Sequence, residues 1–154
     1  MSRPLLPGAS IGIFGGGQLG RMTAMAARSM GYGVQVIDPD PACPARGVVD
    51  RCLTAKLDDP EAAARLAQEC QVVTLEIEEV GTASLAAALL HAPVRPDAAV
   101  LAVVQDRARQ KDWLAGHGFP VGPFRVARTA PEMTQALAEL QAATVVLSLI
   151  HISE

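Results

Sequence analysis

Gly15-Gly16-Gly17-Gln18-Leu19-Gly20 is the stretch of this sequence best suited to chemistry. It satisfies G-x-G-x-x-G, in which glycines let the backbone approach a ligand and a following helix turns unpaired N–H groups toward an anion. Eighteen residues after Gly20 stands a carboxylate, Asp38, where the ribose hydroxyls of a dinucleotide would be read. The spacing predicts anion or phosphate binding. The alternative is a tight turn that only packs helix against sheet.

A second group is Glu76-Ile77-Glu78-Glu79. Alternation along a strand aims Glu76 and Glu78 to one face, where they could accept hydrogen bonds from an amine or hydroxyls of a ligand. One of them could instead cap the next helix, and three acids in four residues are also an ordinary solvated loop. The third group is Gln105-Asp106-Arg107 with Lys111. The i,i+4 spacing places Arg107 and Lys111 on one helix face, a docking point for phosphate. Otherwise this is an exposed helix with Asp106 paired to Arg109 or Gln110.

Other reactive side chains offer less. His91, His117 and His151 are far apart, so no metal centre is expected from them. Cys43, Cys52 and Cys70 are odd in number and lack CxxC spacing, which reads as reduced, partly buried thiols. Trp113, Leu114 and Phe119 are expected in the core beneath a helix. No G-x-S-x-G, Walker A or H-E-x-x-H pattern occurs.

Alternating strand-like and helix-like segments must position these groups, the pattern of an α/β fold with a parallel sheet. Strands are expected at Ser10–Phe14, Gly33–Ile37, Cys52–Thr54 and Val72–Leu75. The helices expected between and after them run from Gln18 to Met30, from a cap at Asp58 or Asp59 to Gln68, from Ala83 to Leu90, and from Asp97 toward Val104. Gln105 to Ala115 reads as a polar-faced helix. A second subdomain is expected near Pro120, with strand Phe124–Ala127, helix Pro131–Leu140 and strand Thr144–Leu147.

The chain has 154 residues, 50% of them hydrophobic, with 13 basic and 16 acidic side chains. That length can bury a real core. A net charge of −3 argues against a large basic nucleic-acid face. No apolar run approaches the ~20 residues that cross a bilayer, and the first residues do not read as a signal peptide.

Taken together, Ile13 to Met22, Val36 to Asp40, Val73 to Glu79, Val94 to Pro96, and Gln105 to Arg107 with Lys111 resemble one family. It is 5-(carboxyamino)imidazole ribonucleotide synthase, the phosphoribosylaminoimidazole carboxylase ATPase subunit, of the ATP-grasp superfamily. The resemblance runs from Ile11 to Leu147. It implies an α/β, Rossmann-like pre-ATP-grasp domain with a parallel sheet over residues 1–118. The truncated start of an ATP-grasp domain follows at 119–147, and then an atypical tail at 148–154.

The implied reaction is ATP-dependent carboxylation of 5-aminoimidazole ribonucleotide with bicarbonate, by way of carboxyphosphate, in purine biosynthesis. Gly15, Gly16, Gly17, Gln18, Leu19, Gly20 and Glu76 would bind the ribonucleotide and its phosphate. Arg107 would reach ATP, and Asp38 would become a structural residue at a strand end. The full-length family uses ATP and Mg²⁺, is cytoplasmic and is often a homodimer; no nucleic-acid or membrane partner is implied.

Two departures stand out. Glu79 replaces a usual asparagine, and Ser148 stands where a lysine would hold ATP phosphates; Lys56 and Lys111 are the only lysines. The metal-binding carboxylates of the family would come later still. The expectation is a protein cut near Leu147 with a short foreign or out-of-frame tail, and no carboxylation by the chain alone. A natural short protein is the alternative. A free-standing NAD-binding Rossmann module and a non-catalytic binding domain remain as alternative functions.

Overall fold

The computed structural model describes residues 4–141 and 143–147; the tail beginning at Ser148 lies outside the described residues. Two compact units divide between Leu101 and Ala102.

The first unit is built on five parallel strands: β1 (Ser10–Phe14), β2 (Gly33–Asp38), β3 (Arg51–Thr54), β4 (Val72–Leu75) and β5 (Val94–Arg95), in the order β3-β2-β1-β4-β5. Helix α1 (Gln18–Ser29) joins β1 to β2, α2 (Pro60–Gln68) joins β3 to β4, and α3 (Thr82–Leu89) leads to β5. A 3-10 turn, Pro44–Val48, precedes β3.

Strand alternation divides the core between the two faces of the sheet. Ile13, Val34 and Val36 pack with Ala24 and Ala27 of α1 and with Cys43 and Ala45. On the other face, a side chain at Gly12 would meet Leu66, Cys70 and Val73, so glycine here lets α2 lie close to the sheet. Ile13, Phe14, Ile37 and Leu66 are wholly buried, each contributing about 1.5–3 kcal/mol. Asp59 starts α2: its carboxylate accepts from the N–H groups of Glu61 and Ala62, and Pro60 follows where a missing N–H costs nothing.

Helix α4 (Ala98–Val104) crosses the division between the units. The second unit contains α5 (Arg107–Gly116) and α6 (Ala130–Leu140). Asp106 caps α5 by accepting from the Arg109 N–H, rather than pairing with the Arg109 or Gln110 side chain. The Thr129 hydroxyl accepts from the Glu132 N–H, and the Glu132 carboxylate accepts from the Arg128 N–H, fixing the start of α6.

Three expectations need correction. Phe124–Ala127 and Thr144–Leu147 are not strands: a ladder needs a neighbouring strand, and none of the described residues of this unit forms one. Trp113 and Phe119 are 43% and 53% exposed rather than core; Trp113 stacks on His117 with ring centroids 3.9 Å apart. The short β5 had no periodicity by which to be read.

Candidate functional site

Register decides which loops meet. Phe14 at the end of β1 is aligned with Ile37 of β2 on one side and Leu75 of β4 on the other. The next residues, Gly15, Asp38 and Glu76, therefore stand side by side at the carboxyl edge of the sheet, Asp38 as the last residue of β2. The Gly15 N–H donates to the Ile37 carbonyl at 3.0 Å, and the Glu76 N–H to the Phe14 carbonyl at 2.9 Å. Strand order reverses between β1 and β4, the place where open α/β sheets bind ligands.

Each of four glycines leaves room for a particular neighbour. Gly15 has φ +96°, and a Cβ there would collide with the Glu76 carboxylate. A Cβ on Gly16 would lie 2.6 Å from Cys43 Sγ, and one on Gly17 3.2 Å from Glu76 Oε1. A Cβ on Gly20 would strike the Gly15 carbonyl oxygen, so the first turn of α1 can close on the loop only with glycine here.

The carboxylate of Glu76 thus lies across the glycine loop, over the start of α1. That helix has no side-chain cap at Gly17 and no acidic residue in its first turn. Glu76 is a countercharge for the helix dipole at this end. Gln18 and Leu19 are exposed on the first turn. Beside them a groove of about 530 Å³ runs between α1 and the end of β4, with Leu19, Met22, Thr74, Leu75 and Glu76 among its lining. Sequence reasoning missed Met22 and Thr74. Nothing in their types marks them, although Met22 is apolar and sits on the solvent side of α1.

Asp38 is fully engaged with backbone. Its Oδ2 accepts from the Gly16 N–H at 2.6 Å and its Oδ1 from the Asp40 N–H at 2.8 Å. A carboxylate held in this way fastens the loop after β1 to the end of β2. The Gly16 carbonyl in turn accepts from the Ala45 N–H at 2.9 Å. Beneath the loop, burial and the neighbouring Cys43 push the Cys52 thiol up to about 11. Glu78 is half-buried, and Glu79 is exposed.

Arg107 and Lys111 lie in the second unit and line one pocket of about 430 Å³, whose apolar wall includes Phe124, Val126, Leu137 and Val145. The Lys111 ammonium stands 5.8 Å from the centre of the Phe124 ring. Arg107 is exposed. Two cations on one apolar-walled pocket can hold an anionic, partly aromatic ligand. Among the described residues no group of three His, Cys, Asp or Glu side chains is placed to hold a metal ion.

A parallel sheet in this order, with a glycine loop after β1 and an acidic loop after β4, defines a Rossmann-like ligand-binding domain. Residues 9–105 match the ribonucleotide synthetase preATP-grasp domain, and the chain belongs to that family. The N5-carboxyaminoimidazole ribonucleotide synthase of Brucella melitensis is 40% identical over 136 residues, which is 88% of this chain and 38% of the relative. A solved N5-carboxyaminoimidazole synthetase from Staphylococcus aureus, complexed with ADP, superposes with a TM-score of 0.80 at 36% identity, covering 87% of this chain and 36% of that one. The N5-carboxyaminoimidazole synthase of Aspergillus clavatus, in complex with ADP and 5-aminoimidazole ribonucleotide, gives 0.75 at 32% identity, covering 86% and 36%. The chain therefore spans somewhat over a third of the length of these relatives.

Proposed function

We propose that this chain supplies the ribonucleotide-facing part of an ATP-dependent ligase that carboxylates 5-aminoimidazole ribonucleotide with bicarbonate in purine biosynthesis. One observation carries the reading: the Glu76 carboxylate lies across the Gly15–Gly20 loop and borders an open groove. An anion already at the helix N-terminus leaves that end poorly suited to a phosphate, so the substrate meets it with hydrogen-bond donors. The exocyclic amine and ribose hydroxyls of an aminoimidazole ribonucleotide are such donors, and its phosphate points away. This refines the expectation that the glycine loop holds the phosphate. Gly15, Gly16, Gly17 and Gly20 shape the floor, while Gln18 and Leu19 border the ligand.

Arg107, with Lys111 beside it, contacts the phosphates of ATP. In the reaction, bicarbonate is activated as carboxyphosphate, which delivers CO₂ to the amine. Among the described residues no three His, Cys, Asp or Glu side chains are grouped to hold Mg²⁺. Phosphoryl transfer depends on cations around the transferring group. With Lys56 and Lys111 its only lysines, the 154-residue chain by itself is not catalytically competent. We assign residues 1–118 to the pre-ATP-grasp portion and 119–147 to the start of the ATP-grasp region. The assembled enzyme is cytoplasmic and homodimeric.

Ligand-induced melting shifts test the assignment. A ligand at 100 times its dissociation constant stabilises by about 2.7 kcal/mol. 5-Aminoimidazole ribonucleotide raises the Tm of the chain, Glu76→Gln abolishes the shift, and NAD has no effect. A shift with NAD alone would establish the dinucleotide-binding module instead. No shift with either would leave a non-catalytic domain. Carboxylation by the purified chain above a protein-free blank would refute the statement on competence.

A further inference from the structure

We propose that Cys43 and Cys52 are a redox latch on the glycine loop: a hydroperoxide joins them as a disulfide, and the joining loosens the hold on Gly16. Their sulfurs lie 3.7 Å apart. Cys43 immediately precedes the 3-10 turn Pro44–Val48, and Cys52 sits in β3 opposite Val36 of β2. A disulfide requires a sulfur separation of about 2.04 Å, so the pair must close by roughly 1.7 Å.

That movement acts on the glycine loop because Cys43 Sγ fills the space beside Gly16, only 2.6 Å from where a Cβ would stand. Two residues further on, the Ala45 N–H holds the Gly16 carbonyl at 2.9 Å. Drawing Cys43 toward β3 empties the space beside Gly16 and pulls on the segment that carries Ala45. Cys70 is separate, packed against Gly12 and Leu66 on the other face of the sheet, and serves as an internal control.

The chemistry balances with the hydroperoxide as the oxidant. Cys52 is half-buried and meets it first, whereas Cys43 is 3% exposed. The Cys52 sulfur, as thiolate, attacks the peroxide; the O–O bond breaks, a sulfenic acid forms, and the departing oxygen leaves as water or alcohol. The Cys43 sulfur then attacks the sulfenic sulfur. An S–S bond forms, the S–O bond breaks, and the Cys43 proton leaves with the oxygen as water. Burial, Cys43 and Asp38 raise the Cys52 pKa while Arg46 lowers it, so at neutral pH Cys52 is mostly the protonated thiol and reacts through its small thiolate fraction, which grows as pH rises.

The test uses the whole chain and hydrogen peroxide. Arg46 and Arg51 lie between the cysteines, so trypsin separates them and a linked Cys43–Cys52 peptide pair is diagnostic. The expected result is that linked pair, an intact mass lower by two hydrogens, and Cys70 still open to alkylation after unfolding. The amide resonances of Gly16 and Ala45 shift on oxidation, and Cys52→Ser shows neither the link nor the shift. Cys52→Ala replaces it if the serine variant does not fold, and peptide mapping of the unaltered chain needs no variant. Separate oxygenated cysteines, links between chains, or a Cys43–Cys52 link without movement at Gly16 would each overturn the proposal. None of these readouts depends on which ligand the loop binds.

Discussion

The Gly16 N–H donates to Asp38 Oδ2 at 2.6 Å, tying the loop after β1 to the end of β2. The second oxygen of the same carboxylate accepts from Asp40, so one side chain organises two loops. Asp38→Ala leaves both N–H groups without this acceptor and is expected to cost about 1–3 kcal/mol. Asp38→Asn keeps one carbonyl oxygen and costs less. Urea denaturation of the two variants checks the order; equal losses would show that the amide cannot stand in for the carboxylate, so that both oxygens or the charge are needed.

The glycines differ in what surrounds them. Gly20→Ala drives a methyl group into the Gly15 carbonyl and is expected to destabilise by about 1–3 kcal/mol. Gly116→Ala, near the end of α5, meets nothing within 4 Å and is expected to gain up to about 1 kcal/mol. Thermal melts of both variants decide it. A Gly20→Ala protein as stable as the parent would mean that the first turn of α1 can rearrange.

Helix α1 begins without a side-chain cap, and Glu76 supplies the negative charge at that end. Glu76→Gln is therefore expected to lose about 0.3–1 kcal/mol at low ionic strength, and less at high salt. Glu79→Gln, on an exposed residue of the same loop, is expected to change stability by less than about 0.5 kcal/mol. Denaturation at two salt concentrations separates a charge effect from a packing effect.

Asp50 accepts from the Arg28 guanidinium and, at 2.7 Å, from the Val34 N–H; the Arg28 bond is the larger cause holding its carboxyl below the usual aspartate range. A lowered folded pKa means that the unfolded chain binds the proton more readily. The resulting stability is complete above the unfolded pKa of about 3.9 and is lost as pH falls through the lower, folded value. The difference in Tm between the parent and Asp50→Asn is expected to be largest at pH 6–7 and to shrink below about pH 4. A difference that stays constant to pH 2 would exclude Asp50 as its source.

Much of the architecture was legible in the amino-acid order because its causes are local. Ser10–Phe14 and Val72–Leu75 are bounded by glycine and polar residues, and both strands have the expected limits. Asp59 followed by Pro60 starts α2 as such a pair should. Where strand formation depends on a distant neighbour, local pattern was insufficient. Val94–Arg95 is a strand because β4 lies beside it, whereas the apolar Thr144–Leu147 has no such neighbour among the described residues.

The site divides the same way. The glycine spacing marked Gly15–Gly20, and the acidic run marked Glu76 and Glu78 alike; the family resemblance singled out Glu76. Only the tertiary structure brought them together, through the alignment of Phe14 with Leu75 across residues distant in sequence. It also turned Asp38 toward the Gly16 amide and set Cys43 against the same glycine. Glycine freedom and helix signals act over a few residues and can be read along the chain. Strand register and the partners of the half-buried Asp38 carboxylate are settled by long-range packing, which appears only when the sheet is assembled.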